Sequence, residues 1–349
     1  MMISRSELTS QTLYEKEDLK LLLQKTTSVG ISEKYTNGKV WIKTDTFGYE
    51  GLAEVMSSRV VKALGFSTVE YNPCVLGIND YEVKTSCISN NFIPKGYVAH
   101  TIGRLLEKSN NYKGRDELFE HMYAYDMPED RLEFVLKSLQ NYLPRALLMT
   151  SFAEYIWLDS LLLNTDRHVY NMVLITNQHE YRFINFDYGM SLLADLEEFP
   201  MQMPLHKAVS SATSKPFSSQ FSIQLELFNM YIQCSPKTDI SINIGDLTDY
   251  YPLQYINRAK EVLQQRLLLN GISCIFLESP AIKIYSTDAR RLQHFSPLIN
   301  YDARGMYFVT TFIKDKTELS DCFKFDNNER AANFCLNNPN EVVAYVPNW

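Results

Sequence analysis

The sequence predicts an α+β chain in two lobes, followed by a small C-terminal α/β appendage. Three observations carry this reading. Residues 1 to about 95 hold short alternating segments and one helical run near 49–64. Residues 96 to about 280 hold longer runs with apolar residues at helical spacing. A hairpin pattern interrupts those runs, with Asn164-Thr165-Asp166-Arg167-His168-Val169-Tyr170-Asn171 before it and Asp187-Tyr188-Gly189 after it.

In the first part, Val40-Trp41-Ile42-Lys43 reads as a strand with lysine at its end. Leu52, Val55, Met56, Val60 and Val61 recur at helical spacing, and Glu54 falls on the polar side, where it can pair with Lys43. Glu50, one turn earlier, is the rival for that lysine. Tyr81 to Asn91, before Phe92-Ile93-Pro94, reads as the last strand of the first lobe and a hinge.

In the second part, helices are predicted over 116–125, 129–140, 144–163, 219–234 and 252–270. Pro144 suits a first helical turn, and Leu148, Phe152, Tyr155, Ile156, Leu162 and Leu163 then mark a buried helix leading into the Asp166 segment. Asn270-Gly271 is a stop signal. Met172-Val173-Leu174-Ile175 is a short apolar strand, Thr176 to Glu180 is turn-like, and Tyr181 to Phe186 returns the chain. Asp187 is thereby delivered beside Asn171. Beyond residue 280, strands are predicted over 281–285, 305–311 and 342–346, with a helix over 328–337.

The spacing around the hairpin has a chemical reason. Phosphoryl transfer needs a carboxylate at the acceptor hydroxyl and hard oxygen ligands for Mg²⁺ on the phosphates. Protein kinases put the base and an Asn five positions apart and bring the second metal ligand on an Asp-Phe-Gly segment. Asp166 to Asn171 is that interval, and Asp187-Tyr188-Gly189 stands in the second slot. An isolated Asp-x4-Asn is most often a turn cap; the following hairpin and second Asp outweigh that. The candidate assignments are Asp166 as base, Asn171 and Asp187 as Mg²⁺ ligands, and Lys43 on the phosphates of ATP with Glu54 orienting it. Arg167 and His168 are expected to shape the loop, one supporting Asp187 and the other reaching the phosphates.

The pattern NTDRHxxN…FDYG resembles the HipA-like kinases, including toxin kinases and the CtkA-type bacterial kinases. Its core is also similar to that of phosphatidylinositol 3- and 4-kinases. Lys39 to Asp45, Gly48 to Glu54 and Ala63-Leu64-Gly65 are similar to the first lobe of the HipA-like group, and the interval from Glu54 to Gly65 fits that group better than one counted from Glu50. The resemblance covers about residues 20 to 275. It implies a protein-kinase-like (HipA-like) fold that uses ATP and Mg²⁺ on a protein Ser or Thr. A protein substrate and a cognate antitoxin or regulatory partner are the implied partners. Thr26 to Lys34 resembles the group's S-x-x-G-x-x-x-K phosphate loop, which implicates Ser28 and Gly30; Ser28 is the nearest match to the group's autophosphorylation site. Lys215-Pro216-Phe217-Ser218, in the polar stretch 210–219, resembles a recurring segment of the group and stands where a substrate-facing loop would be. The tail resembles ADP-ribosyltransferase-like folds without the His of their nucleotide motif, so a regulatory or partner-binding role is expected of 281–349.

Composition sets outer bounds. At 349 residues, 45% hydrophobic and 21% charged, the chain has globular values. A net charge of −7 argues against a broad nucleic-acid face. None of the six cysteines forms a C-x-x-C pair, so buried free thiols are expected rather than zinc. No signal-type N-terminus and no membrane-length apolar run is present, which predicts a cytoplasmic protein; export by a route without such a signal stays open. Two other classes compete with a protein kinase: a lipid or small-molecule kinase, and a catalytically silent binding module. The intact Lys43, Asp166, Asn171 and Asp187 argue against the second.

Overall fold

A computed structural model describes residues 2–4, 13–16, 19–21, 33–177, 179–232, 236–277, 307–312, 319–325 and 342–346. The chain divides into two compact units, Met1–Ile240 with Leu247–Ile275, and Ser241–Asp246 with Phe276–Trp349.

The first unit opens with a seven-stranded sheet. Its strands are β1 (Met2–Ser4), β2 (Leu13–Glu15), β3 (Lys20–Leu21), β4 (Lys34–Thr36), β5 (Val40–Thr44), β6 (Tyr71–Gly77) and β7 (Glu82–Asn90). They run in the order β2-β6-β7-β5-β4-β3, with β1 added on β7. Alternation on β5 buries Ile42 with Tyr35, Cys74, Leu76 and Ile88 and turns Lys43 to the other face. Helix α1 (Glu50–Leu64) packs on β6 and β7. It stops at Gly65, whose φ of 99° closes the left-handed cap. The expected strand at 40–43 and helix at 49–64 are therefore present, and the expected last strand is β7.

The remainder of this unit is mainly helical. A three-stranded sheet, in the order β10-β9-β8, joins β8 (Val98–Thr101), β9 (Val173–Thr176) and β10 (Tyr181–Ile184). Around it stand α2 (Ile102–Asn110), α3 (Arg115–Tyr123), α4 (Pro128–Leu139), α5 (Arg145–Leu162), α6 (Leu205–Ser211), α7 (Phe221–Leu227) and α8 (Leu253–Leu269). Their common core takes Leu148, Phe152, Tyr155 and Ile156 from α5, which is the buried helix the spacing predicted.

Four elements depart from these expectations. Strand β8 and helix α2 were not anticipated: Val98-Ala99-His100-Thr101 has no clear alternation, and its partner β9 lies some 75 residues on, at Val98↔Thr176. The short α6 was also unforeseen. The helix expected over 219–234 is only α7, because Phe228 leaves helical geometry (φ −110°, ψ 6°) to bury its ring beside Phe217; a 3-10 turn, Asn229–Tyr231, follows.

In the second unit, β11 (Tyr307–Phe312) pairs antiparallel with β12 (Leu319–Phe325) on one side and β13 (Val342–Val346) on the other. The strands expected at 305–311 and 342–346 correspond to β11 and β13, while the strand at 281–285 and the helix at 328–337 lie outside the described residues. No described helix is long and apolar enough to cross a membrane.

Candidate functional site

The site begins with the hairpin. Asn177 turns the chain by accepting the His179 and Glu180 amides through its Oδ1, at 2.8 and 2.9 Å. Strands β9 and β10 then pair from Tyr181↔Thr176 to Ile184↔Val173. The two ends of the hairpin are held together by Arg167. Its Nη1 donates to the carbonyls of Asn171 (2.6 Å) and Phe186 (2.8 Å), and its Nε pairs with Asp159 of α5 at 2.9 Å. Burial opposes both charges and raises the Asp159 carboxyl, and the Asp159 contact holds the guanidinium above its ordinary value. The residue thus supports the Asp187 segment from beneath.

Above it lies a cavity of about 230 Å³, bounded by Lys34, Lys43, Glu54, Asp166, Asn171, Asp187 and Lys215 among others. Lys43, Glu54, Asp166, Asn171 and Asp187, the residues given roles from the sequence, therefore line one cavity, and Glu50 lines it with them. Lys43 Nζ donates to Glu54 Oε1 at 2.5 Å and to Asp187 Oδ1 at 2.7 Å. The second Glu54 oxygen accepts the Tyr188 amide at 2.8 Å. Glu50 is engaged elsewhere: its carboxylate accepts the amides of Thr46, Phe47 and Gly48 at 2.6–3.0 Å, in the turn that starts α1. That turn lies so close to the 190s segment that a Cβ on Gly48 would stand 2.0 Å from the Ala194 carbonyl oxygen.

Burial works against the charges of Lys34, Lys43, Glu54 and Asp187, and opposite charges answer it in part or in full. It works against charge on Lys43, but Asp187 and Glu54 outweigh it and hold the ammonium well above its ordinary value. Burial likewise opposes ionisation of Asp187, yet Lys34 and Lys43 hold that carboxyl far below the usual range. Lys34 Nζ stands 3.7 Å from Asp187 Oδ2. Asp187 itself has φ 62°, a left-handed conformation unusual for a residue with a side chain.

The residues fit a Mg²⁺ ion. Asn171 Nδ2 donates to the Asp166 carbonyl at 3.0 Å, which leaves Oδ1 as the free acceptor, and that buried oxygen has no hydrogen-bond partner. One amide oxygen and one carboxylate on a shared wall suit an ion that takes few protein ligands and completes its shell with phosphate and water. No group of three His, Cys, Asp or Glu side chains that could hold a metal is present among the described residues.

Arg167 and His168 do not bound the cavity. His168 packs near Phe119 and Tyr170, with Nε2 3.8 Å from Asp166 Oδ2; burial lowers its pKa. The expected reach of one of these residues to phosphate is not what this geometry offers. Ser28 and Gly30 lie outside the described residues.

Two lysines outside the assigned set join the site. Lys34, which closes the stretch likened to a phosphate loop, faces Lys43 across β4 and β5. Lys215 donates to Asp166 Oδ1 at 2.9 Å. From the sequence, the stretch carrying Lys215 reads as a polar, substrate-facing loop that resembles a recurring kinase segment; the available signal is its one cation two residues before a phenylalanine, which here anchors it in the core.

No protein-family profile matches the chain, and no curated protein matches it. Among solved structures, the Helicobacter pylori proinflammatory kinase CtkA is similar at 12% identity, over 73% of this chain and 94% of that one, with a TM-score of 0.48. HipA of Shewanella oneidensis, from a complex with HipB and its operator DNA, is similar at 11% identity, over 78% and 72%, with a TM-score of 0.31. Both are likenesses of fold; the chemistry of the site is read from its own side chains.

Proposed function

We propose that this chain is an ATP- and Mg²⁺-dependent kinase that phosphorylates serine or threonine in a protein, itself included. The observation that carries the reading is the convergence of Lys43, Glu54, Asp166, Asn171 and Asp187 on one cavity. Lys43 would hold the α- and β-phosphates, and Glu54 keeps that lysine aimed. Asn171 and Asp187 would hold Mg²⁺, which supplies positive charge against the phosphates when bound. Asp166 orients the acceptor hydroxyl and takes its proton. Its side chain is 30% exposed, which suits an acceptor arriving from outside the fold. Contacts from Ser28 and Gly30 to phosphate belong to the same reading, as do a cognate antitoxin or regulatory partner and a recognition role for 281–349. These rest on the sequence resemblance.

The test is a melting-temperature shift with ATP, with and without Mg²⁺, followed by labelling with γ-labelled ATP. A Mg²⁺-dependent shift and label on serine or threonine are expected. Neither shift nor transfer would reject the reading, and label on a lipid or small molecule alone would move the chain to another kinase class. Comparing cellular phosphoproteins made with wild type and Asp166→Ala would identify the substrate.

A further inference from the structure

The fold commits two of the cavity's three lysines to its buried end. Lys43 and Lys34 both face Asp187. Lys215 stands at the other end, on Asp166 Oδ1 at 2.9 Å. Its backbone is fixed from several directions. The buried Gln224 side chain accepts the Phe217 amide and donates to the Lys215 carbonyl, both at 2.9 Å. Ser214 Oγ donates to the Ser218 carbonyl at 2.8 Å, and the Phe217 ring is buried between Phe152 and Phe228. A held backbone thus presents a half-exposed ammonium, 45% accessible, to a carboxylate that is 30% accessible. Such a pair is weakened by solvent, so the ammonium can be shared with an arriving anion.

We propose that Lys215 is a catalytic residue: its ammonium touches the phosphoryl group as that group passes from ATP to the acceptor at Asp166. This rests on the phosphoryl-transfer reading above. In the step, the bond from the γ-phosphorus to the bridging oxygen breaks, and its electron pair leaves with ADP. A bond from the acceptor oxygen to that phosphorus forms, and the acceptor proton goes to Asp166. Lys215 keeps its protons throughout. While both bonds are partial, negative charge is spread over the three equatorial oxygens of the phosphoryl group, and a fixed cation at the acceptor end meets it there.

The test uses the full chain, γ-labelled ATP and Mg²⁺, with release or incorporation of label as the readout. Lys215→Met should lower kcat by about 100-fold, the scale for losing one fixed charge-stabilising donor. The melting-temperature shift with ADP and Mg²⁺ should stay at the wild-type value, since ADP lacks the group that Lys215 touches. Lys215→Arg should recover part of the rate. In an Asp166→Asn background, followed as a single turnover, Lys215→Met should cost a further tenfold or so, because the contact to phosphoryl does not run through the carboxylate. No further loss in that background would make Lys215 a positioning residue for Asp166 and overturn the proposal. So would full turnover in Lys215→Met, or loss of its ADP shift. An inactive wild type would overturn the kinase reading as well, and that result is distinct from an active wild type indifferent to Lys215.

Discussion

The two ends of the cavity hold the same chemistry in opposite surroundings. At one end Lys43 and Glu54 form an ion pair with side-chain accessibilities of 14% and 1%; at the other, Lys215 and Asp166 pair at 45% and 30%. A lysine and a carboxylate within 3 Å describe both. What differs is water. At the buried end removing Lys43 strands Glu54, while Lys43 itself is shared with Asp187, so the cluster acts as a fixed part of the fold. At the exposed end solvent screens the attraction, and the partners are available to a substrate. A static reactant is suited by the first end and a changing one by the second.

The sharpest way to break this contrast is Asp187→Ala. Both lysines would lose the carboxylate they share, and Mg²⁺ its charged ligand. Turnover and the Mg²⁺-dependent ATP shift should both vanish. Retained turnover would mean that the buried end does not hold the metal. Next in size is Asp166→Asn, at the exposed end: turnover should fall by orders of magnitude while the ATP and Mg²⁺ shift persists. If ATP binding falls with it, the two ends are not separable.

Stability sharpens the contrast further. Lys43→Met leaves Glu54 and Asp187 facing each other in a buried site, and should lower the unfolding free energy by about 3 kcal/mol, measured by urea denaturation. Lys215→Met should cost less than about 1 kcal/mol in the same measurement. Equal costs would erase the difference between the ends. The smallest effect is expected within α1. Glu54→Gln should lose part of the turnover by loosening Lys43. Glu50→Gln should spare turnover and cost about 1 kcal/mol of stability, as a weakened helix-start cap does. The reverse pattern would give Glu50 the functional role.

The buried end was largely legible in the sequence, and the exposed end only by half. Lys43 and Glu54 sit on a strand and a helix whose periods say which way each side chain faces, and Asn171 and Asp187 flank a hairpin whose pairing brings its two ends together. Lys215 has no period to betray it. Its position depends on Gln224, on Phe217 reaching the core and on a loop closed by its own serines, none of which is a local pattern. Arg167 was expected to shape its loop, but its partner was hidden for a different reason. Asp159 is a single acid inside the apolar run Tyr155 to Leu163 of a helix. An unpaired acid in such a run asks for a buried cation, and Arg167, eight residues on, supplies it. Strand β8 escaped because a four-residue strand is defined by its partner rather than by itself.

Arg167 has one more consequence, for how the molecule breathes. One guanidinium holds the last turn of α5, the end of the Asp166 segment and the residue before Asp187. None of these three can open singly without taking a partner from a buried, charged donor. The amides of this stretch should therefore exchange with deuterium at the pace of α5, in one cooperative unit, and not at the faster pace of a loop. Replacing Arg167 with Met together with Asp159→Asn, which removes the charge otherwise stranded in α5, should uncouple them, so that the loop amides exchange early while α5 stays protected.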